Sequence, residues 1–232
     1  MTSADLFAPF DLHGLKLPNR ILMSAMTRTR ATEDDVPTDL IREYYVQRAS
    51  AGLIVTECTQ VSDQGHGIIR APGIHRADQI AAWRKVTDAV HAAGGHIYNQ
   101  LWHCGRVAHP DMRGGEQPVA PSAIPATGEF FLPSGRVDFP IPRELGIKEI
   151  APIVETFAQA TRNAVKRDST ASSFTGRTGT RRTNRSYGYS TKRMFVLCVP
   201  PLYCCISPVQ TVEAAEQKEP HDKCPIFLSR SY

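Results

Sequence analysis

The chain has 232 residues, of which 41% are hydrophobic and 22% are charged, and its formal net charge is +4. These values are typical of an ordinary globular protein of one moderate domain, and so small a charge gives no global signal of nucleic-acid binding. The sequence shows neither an apolar run of bilayer length nor a signal peptide, so we expect a cytoplasmic protein with reduced thiols and no membrane partner.

The first part of the chain alternates between strand and helix patterns. Residues 6–21 predict a hairpin around Gly14, and residues 20–25 predict a short buried strand. Thr38 is a predicted N-cap, and Gly52 is predicted to end the helix that follows it. The residues on one face of that helix are Leu40, Ile41, Tyr44, Tyr45 and Arg48. Residues 53–58 then predict a strand covered on both faces.

The same unit repeats twice more. A helix is predicted from Asp78, with an inner face of Ile80, Trp83, Val86 and Val90. Residues 96–101 predict a strand, and residues 105–145 predict a long loop of the kind that is usually functional. A third helix is predicted from Glu149, with an inner face of Ile150, Ile153, Val154, Phe157, Thr161, Ala164 and Val165. This alternation predicts an α/β fold with a parallel sheet, the N-terminal half of a (β/α)8 TIM barrel.

Polar side chains follow three of the predicted strands, in residues 24–28, 56–59 and 99–106. The carboxyl ends of barrel strands share one edge, so we expect a common pocket there. Each residue also has a plain structural interpretation: Thr27 as a turn cap, Gln100 facing solvent, Trp102 in the core. His103 and His109 could be metal ligands, but no second pair lies at ligand spacing, and we predict no metal site. Cys104 is expected to be a small buried residue.

Several phrases in fixed order resemble the Old Yellow Enzyme family of flavin-dependent ene-reductases over residues 6–166. They are Leu6-Phe7, Leu17-Pro18-Asn19-Arg20, Ala25-Met26-Thr27-Arg28, Tyr44-Tyr45, Arg48-Ala49, Gly52-Leu53-Ile54, Ala71-Pro72-Gly73-Ile74, Gln100-Leu101-Trp102-His103-Cys104-Gly105-Arg106 and Val119-Ala120-Pro121-Ser122. The resemblance implies an FMN-binding barrel that takes hydride from NADPH or NADH and passes it to an activated alkene, an α,β-unsaturated carbonyl or nitro compound. It implies a small-molecule substrate and leaves the oligomeric state open.

The resemblance also implies roles for individual residues. Ala25 and Met26 would lie along the flavin ring, and Thr27 would act in catalysis by donating a hydrogen bond to the flavin O4. Cys58 would approach the flavin through its backbone, and Gln100 would bond its pyrimidine edge. The substrate pocket would be bounded by Trp102 and by Ile68, where many relatives carry Tyr.

The pattern changes abruptly after Lys166. Residues 167–193 hold seven basic residues and one acid, without an apolar period. If residues 167–180 are reverse-translated and one lost base is allowed for, the codons spell Gly-Phe-Asp-Gly-Val-Glu-Phe-His-Gly-Ala-Asn-Gly-Tyr, an active-site strand of this kind of barrel. We therefore predict two parts, a partial FMN-binding barrel domain over 1–166 and an aberrant, frame-shifted, disordered tail over 167–232.

The family's substrate-binding His/Asn pair and its proton-donating Tyr are missing in this register, where their positions fall among Thr175, Thr178 and Thr180. A truncated barrel exposes a sheet edge and an apolar interior, so we expect an aggregation-prone product. Three alternatives remain: an inactive fragment; a nucleic-acid or interaction protein built on the basic tail with Tyr187 and Tyr189; or a sequence error in a complete barrel.

Overall fold

The computed structural model describes residues 3–12, 14–165 and 174–177. The tail predicted over 167–232, with its basic segment and its expected disorder, lies outside the described residues apart from the backbone of 174–177. The elements in chain order are α1 Ser3–Leu6, β1 Phe10–Leu12, β2 Leu15–Leu17, β3 Leu22–Met23, α2 Asp39–Val46, β4 Leu53–Gln60, α3 Ala77–Ala92, β5 Ile97–Trp102, β6 Val119–Ala120, β7 Glu129–Leu132, β8 Gly135–Asp138, β9 Arg143–Glu144, α4 Ile147–Val165 and β10 Phe174–Arg177.

A parallel sheet of four strands organises the molecule, in the order β10-β5-β4-β3. Every residue of β4 is buried, as expected for a strand in the middle of a covered sheet. The strands alternate with α2, α3 and α4, which confirms the predicted α/β class. Within the described residues the sheet is open and does not close into a barrel.

The main core lies between this sheet and the helices. Ile41 and Tyr45 of α2 meet Trp83, Val86 and Val90 of α3, and all five are almost completely buried. On the sheet, Ile54 of β4 and Ile97 and Leu101 of β5 complete the same cluster. Burying apolar area of this kind contributes about 25 cal/mol per Å², which makes this layer the main source of stability.

The predicted inner faces of two helices were too wide. Leu40 is 62% exposed, and Val154 and Val165 of α4 are 57% and 52% exposed. The side chains of α4 that are buried are Ile153, Ala160 and Asn163, a narrower stripe. Each of these helices covers the core with a narrow face, and apolar residues beside that face remain in solvent.

The first predicted strand was also wrong in extent and burial. Only Leu22 and Met23 pair with β4, and Leu22 is 50% exposed because β3 is the edge of the sheet.

Thr38 does precede α2, but its hydroxyl donates to the carbonyl of Arg30 at 2.7 Å instead of capping the helix. Residues 105–145 are not an unstructured loop, because they hold the antiparallel pair β7–β8 and the parallel pair β6–β9. None of the described helices combines the length and the apolarity that a membrane span requires.

Candidate functional site

The three predicted polar strand ends meet at the carboxyl edge of the sheet. The Thr27 hydroxyl donates to Cys58 Sγ at 3.0 Å, and the Cys58 amide donates back to Thr27 Oγ1 at 3.3 Å. Cys58 is paired in register with Gln100 on β5, whose amide donates to Thr56 Oγ1 at 3.0 Å. Cys58 and Gln100 therefore lie side by side on paired parallel strands, and Thr27, in the segment that follows β3, joins them through its contacts with Cys58.

The exposure of these groups shows which of them are available to a ligand. Met26 is 59% exposed, Ala25, Thr27 and Gln100 are half-buried, and Cys58 is buried. The Gln100 side-chain amide makes no hydrogen bond to the described part of the chain. Burial raises the pKa of the Cys58 thiol to about 12, so this sulfur is a neutral thiol at physiological pH. The edge thus offers an uncommitted amide beside an exposed thioether, and a hydroxyl whose single proton is donated to Cys58 Sγ and would have to turn toward a ligand. Such groups suit the polar edge of a flat heterocycle.

Trp102 lies at this edge, and Ile68 lies on a separate segment. Trp102 ends β5, is half-buried, and donates its indole N–H to Cys104 Sγ at 3.0 Å. Ile68 is half-buried in the segment that follows β4, where its carbonyl accepts from the Ala71 amide at 3.2 Å. Cys104 is buried, as expected. The partial exposure of Trp102 leaves apolar surface next to the polar strand ends, and Ile68 leaves apolar surface on its own segment.

The two candidate metal-ligand histidines are separately engaged. His103 Nδ1 accepts from the Gly105 amide at 3.0 Å, and the His109 ring stacks on Phe130 with ring centroids 5.9 Å apart. Residues 3–12 and 14–165 hold no group of three or more acidic, Cys or His side chains arranged for a metal ion.

His103 makes the stability of the fold sensitive to acid. Burial, aided by the nearby Arg113 charge, lowers the pKa of His103 to about 4 from 6.5. Between these values the unfolded chain takes up a proton that the folded chain does not, so the free energy of unfolding falls as the pH drops. The expected loss is on the order of 3 kcal/mol between pH 7 and pH 4.

Denaturant titrations of the wild type and of His103→Gln over that pH range test this expectation. The Gln side-chain oxygen keeps an acceptor for Gly105 and has no pKa in the window. Burial raises the pKa of Asp35 to about 7, which gives the opposite slope in both proteins and cancels in their difference. A difference between the two proteins that does not change with pH would contradict the assignment.

Sequence reasoning missed one charged network beside the site. Glu57 is completely buried in β4 and pairs with Arg28 at 2.6 Å, and its backbone amide donates to the Tyr45 hydroxyl at 2.7 Å. A Glu inside a strand predicted to be covered on both faces was the available signal, because a buried carboxylate requires a cation or hydrogen-bond donors.

Comparison with known proteins gives consistent matches over the same part of the chain. A model of the NADH:flavin oxidoreductase / NADH oxidase family matches residues 5–169. Chanoclavine-I aldehyde reductase fgaOx3 of Penicillium roqueforti is 44% identical over 165 residues, 69% of this chain and 42% of that protein. The 12-oxophytodienoate reductase 7 of Oryza sativa subsp. japonica is 39% identical over 168 residues, 70% of this chain and 42% of that protein. The chain thus spans less than half the length of these curated relatives.

Solved structures match in fold as well as in sequence. The old yellow enzyme homologue from Zymomonas mobilis superposes with a TM-score of 0.68 at 44% identity, covering 70% of this chain and 45% of that one. Morphinone reductase in complex with tetrahydroNAD gives a TM-score of 0.68 at 40% identity, covering 80% of this chain and 55% of that one. Both neighbours are TIM barrels, and each has a substantial part with no counterpart in the match.

Proposed function

The chain belongs to the NADH:flavin oxidoreductase / NADH oxidase family, and from this membership we propose that it is an FMN-binding oxidoreductase of the ene-reductase type. Its hydride donor would be NADPH or NADH, and its substrate a small molecule with an activated alkene. Because the chain spans less than half of its curated relatives, activity, substrate and cofactor are all proposals for this polypeptide.

One observation carries the proposal: the Thr27 hydroxyl, the Cys58 backbone and the Gln100 amide meet at the carboxyl edge of the sheet. When bound, FMN would supply the hydride-transfer chemistry. Gln100 would hold the polar edge of the ring with its side-chain amide, and Ala25 and Met26 would lie along the ring. The Thr27 oxygen would stay held by the Cys58 amide, while its single proton, which is donated to Cys58 Sγ in this structure, would turn to the ring. Cys58 is buried behind Thr27, and its neutral thiol keeps a negative charge away from the site.

The substrate side of the site would be bounded by Trp102 and Ile68. An Ile in place of the family's frequent Tyr offers no hydroxyl at that position, so we expect a preference for apolar substrate surface there. The described elements would form the first half of an eight-unit barrel, with residues 167–232 as an aberrant tail. The His, Asn and Tyr that the family uses on substrate are missing from this register, which limits the present chain to the flavin-facing part of the proposed function.

Flavin titration is the direct test. Thr27→Ala and Gln100→Leu are each expected to weaken FMN binding by roughly tenfold, because each removes one hydrogen bond worth about 1.4 kcal/mol. The same two substitutions should weaken the binding of lumiflavin, which has the ring without the ribityl phosphate, by the same factor as they weaken FMN binding. The reason is that both contacts are to the ring. Quenching of flavin fluorescence measures both series.

Leu40→Ala is the matched control, since Leu40 is exposed on α2 and is expected to leave flavin affinity unchanged. Full flavin affinity in Thr27→Ala and Gln100→Leu, or no flavin binding by the wild type, would overturn the proposed function.

A further inference from the structure

The segment that carries Thr27 has little backbone support from the sheet. β3 ends at Met23, and residues 24–30 have no regular secondary structure. Strand ladders normally fix a backbone at the carboxyl edge of a parallel sheet. Without a ladder, Thr27 has to be positioned by side-chain contacts.

Those contacts are made to two adjacent residues of β4. The Thr27 hydroxyl contacts Cys58 Sγ at 3.0 Å, and Arg28 Nη2 contacts Glu57 Oε1 at 2.6 Å. The register of β4 against β5 shifts between Val55 and Cys58, and at this irregularity two consecutive side chains, those of Glu57 and Cys58, both contact the segment. The segment is thereby attached to β4 at two consecutive residues, Thr27 and Arg28. If the Arg28–Glu57 contact is lost, the Thr27–Cys58 contact is weakened as well.

The Arg28–Glu57 pair is itself firmly held. Glu57 is completely buried, and the Arg28 side chain is 16% exposed. The Arg28 guanidinium carbon lies 3.3 Å from the centroid of the Tyr44 ring, and the Tyr45 hydroxyl lies 3.3 Å from Glu57 Oε1. A planar guanidinium can bind a carboxylate and stack on an aromatic ring at once, which a lysine ammonium does less well.

We propose that Arg28 and Glu57 are positioning residues, whose ion pair packs against Tyr44 and Tyr45 of α2 and fixes the Thr27 hydroxyl against Cys58 at the flavin edge. The role of Thr27 toward flavin rests on the proposed function, whereas its attachment to Cys58 does not. Both charges are needed. Neutralising either Arg28 or Glu57 leaves the remaining charged group without its partner, and the segment that carries Thr27 then moves away from β4.

The thiol of Cys58 reports the position of this segment without any cofactor. It is buried and neutral, so a maleimide reaches it only when residues 24–28 move away. The experiment labels the flavin-free, full-length chain with N-ethylmaleimide and follows each cysteine by peptide mass spectrometry. Cys104, also buried but two residues beyond the end of β5, serves as the internal reference.

Arg28→Gln and Glu57→Gln are expected to raise the Cys58 labelling rate by roughly tenfold relative to Cys104, which corresponds to a 1.4 kcal/mol easier opening. Arg28→Lys should give a smaller rise in the labelling rate, because lysine keeps the positive charge but lacks the planar guanidinium that stacks on Tyr44. Arg143→Gln breaks a surface pair of the same chemistry, Arg143–Glu149 at 2.7 Å, and should leave the ratio unchanged. If the Gln variants do not fold, the Arg28→Lys ratio decides.

Two results would overturn the proposal: an unchanged Cys58 rate, or equal rises at Cys58 and Cys104, which would show general loosening only. A flavin arm separates this inference from the proposed function. Thr27→Ala should weaken lumiflavin binding in the wild type but add little in Arg28→Gln, because the hydroxyl is already displaced. If the wild type binds no flavin, the proposed function fails, and the labelling ratio still decides the positioning role.

Discussion

Ile41→Ala is expected to lower the free energy of unfolding by roughly 2–5 kcal/mol, and Leu40→Ala by less than about 0.5 kcal/mol. The two residues are neighbours in α2 and have the same number of side-chain carbons. Ile41 is completely buried in the core shared with α3 and the sheet, while Leu40 is 62% exposed. Truncating Ile41 leaves a cavity among rigid neighbours, and truncating Leu40 removes surface that is already in water.

Denaturant unfolding followed by circular dichroism compares the two variants with the wild type. The loss in Ile41→Ala would take a large share of a typical domain stability of about 5–15 kcal/mol. The same measurement tests the expectation of an aggregation-prone chain, because it requires a reversible cooperative transition in the wild type. Equal effects in the two variants would contradict the position of α2 on the sheet.

The parts of the fold that the sequence predicted well are those in which local pattern and burial agree. The continuous apolar run at 53–58 lies within β4, and the face formed by Ile80, Trp83, Val86 and Val90 is the face that α3 turns to the core. Both elements lie in the middle of the structure, with neighbours on each side. Periodicity then reflects the real environment of each residue.

The errors lie where the environment depends on distant elements. An apolar residue such as Leu22 looks buried from the sequence, but its exposure is set by the position of β3 at the sheet edge. The width of the contact between α2 and the sheet likewise decides that Leu40 stays in solvent. Single-sequence patterns carry no information on which strand is at the edge.

The location of the candidate site was predictable from the sequence, but the contacts that hold the Thr27 segment in place were not. Three polar strand ends were enough to expect a shared edge, and Thr27, Cys58 and Gln100 do meet there. The attachment through Arg28 and Glu57 was not, because it joins residues 29 positions apart through side chains alone. Roles toward flavin and substrate stay proposals, since they depend on groups beyond the chain itself.

The largest expected effect concerns the reading register after Lys166. Adding one base between the codons for Lys166 and Arg167 is expected to replace residues 167–180 by a strand with His, Asn and Tyr in the family's order. The first two would bind the substrate oxygen and the third would supply a proton, contributions of about 10²–10³-fold and 10²–10⁴-fold in rate. The expected result is a gain of at least about 10²-fold in alkene reduction over the unaltered chain, measured as NADPH or NADH oxidation that depends on the alkene.

Two altered genes separate the effect of the strand from the effect of everything that follows it. One carries the added base alone, and the other also removes a base after the codon for Thr180, so that only residues 167–180 change. Binding of the flavin phosphate and closure of the far side of a barrel require elements later in the chain, so only the gene with the added base alone is expected to gain activity. In that gene, changing the recovered His codon to one for Ala should abolish most of the gain. A stop codon soon after the added base, or a register without further strand and helix patterns, would show that the match over 167–180 is a coincidence. In that case the family's substrate-binding strand was never encoded here, and the chain's relationship to flavin would rest on Thr27, Cys58 and Gln100 alone.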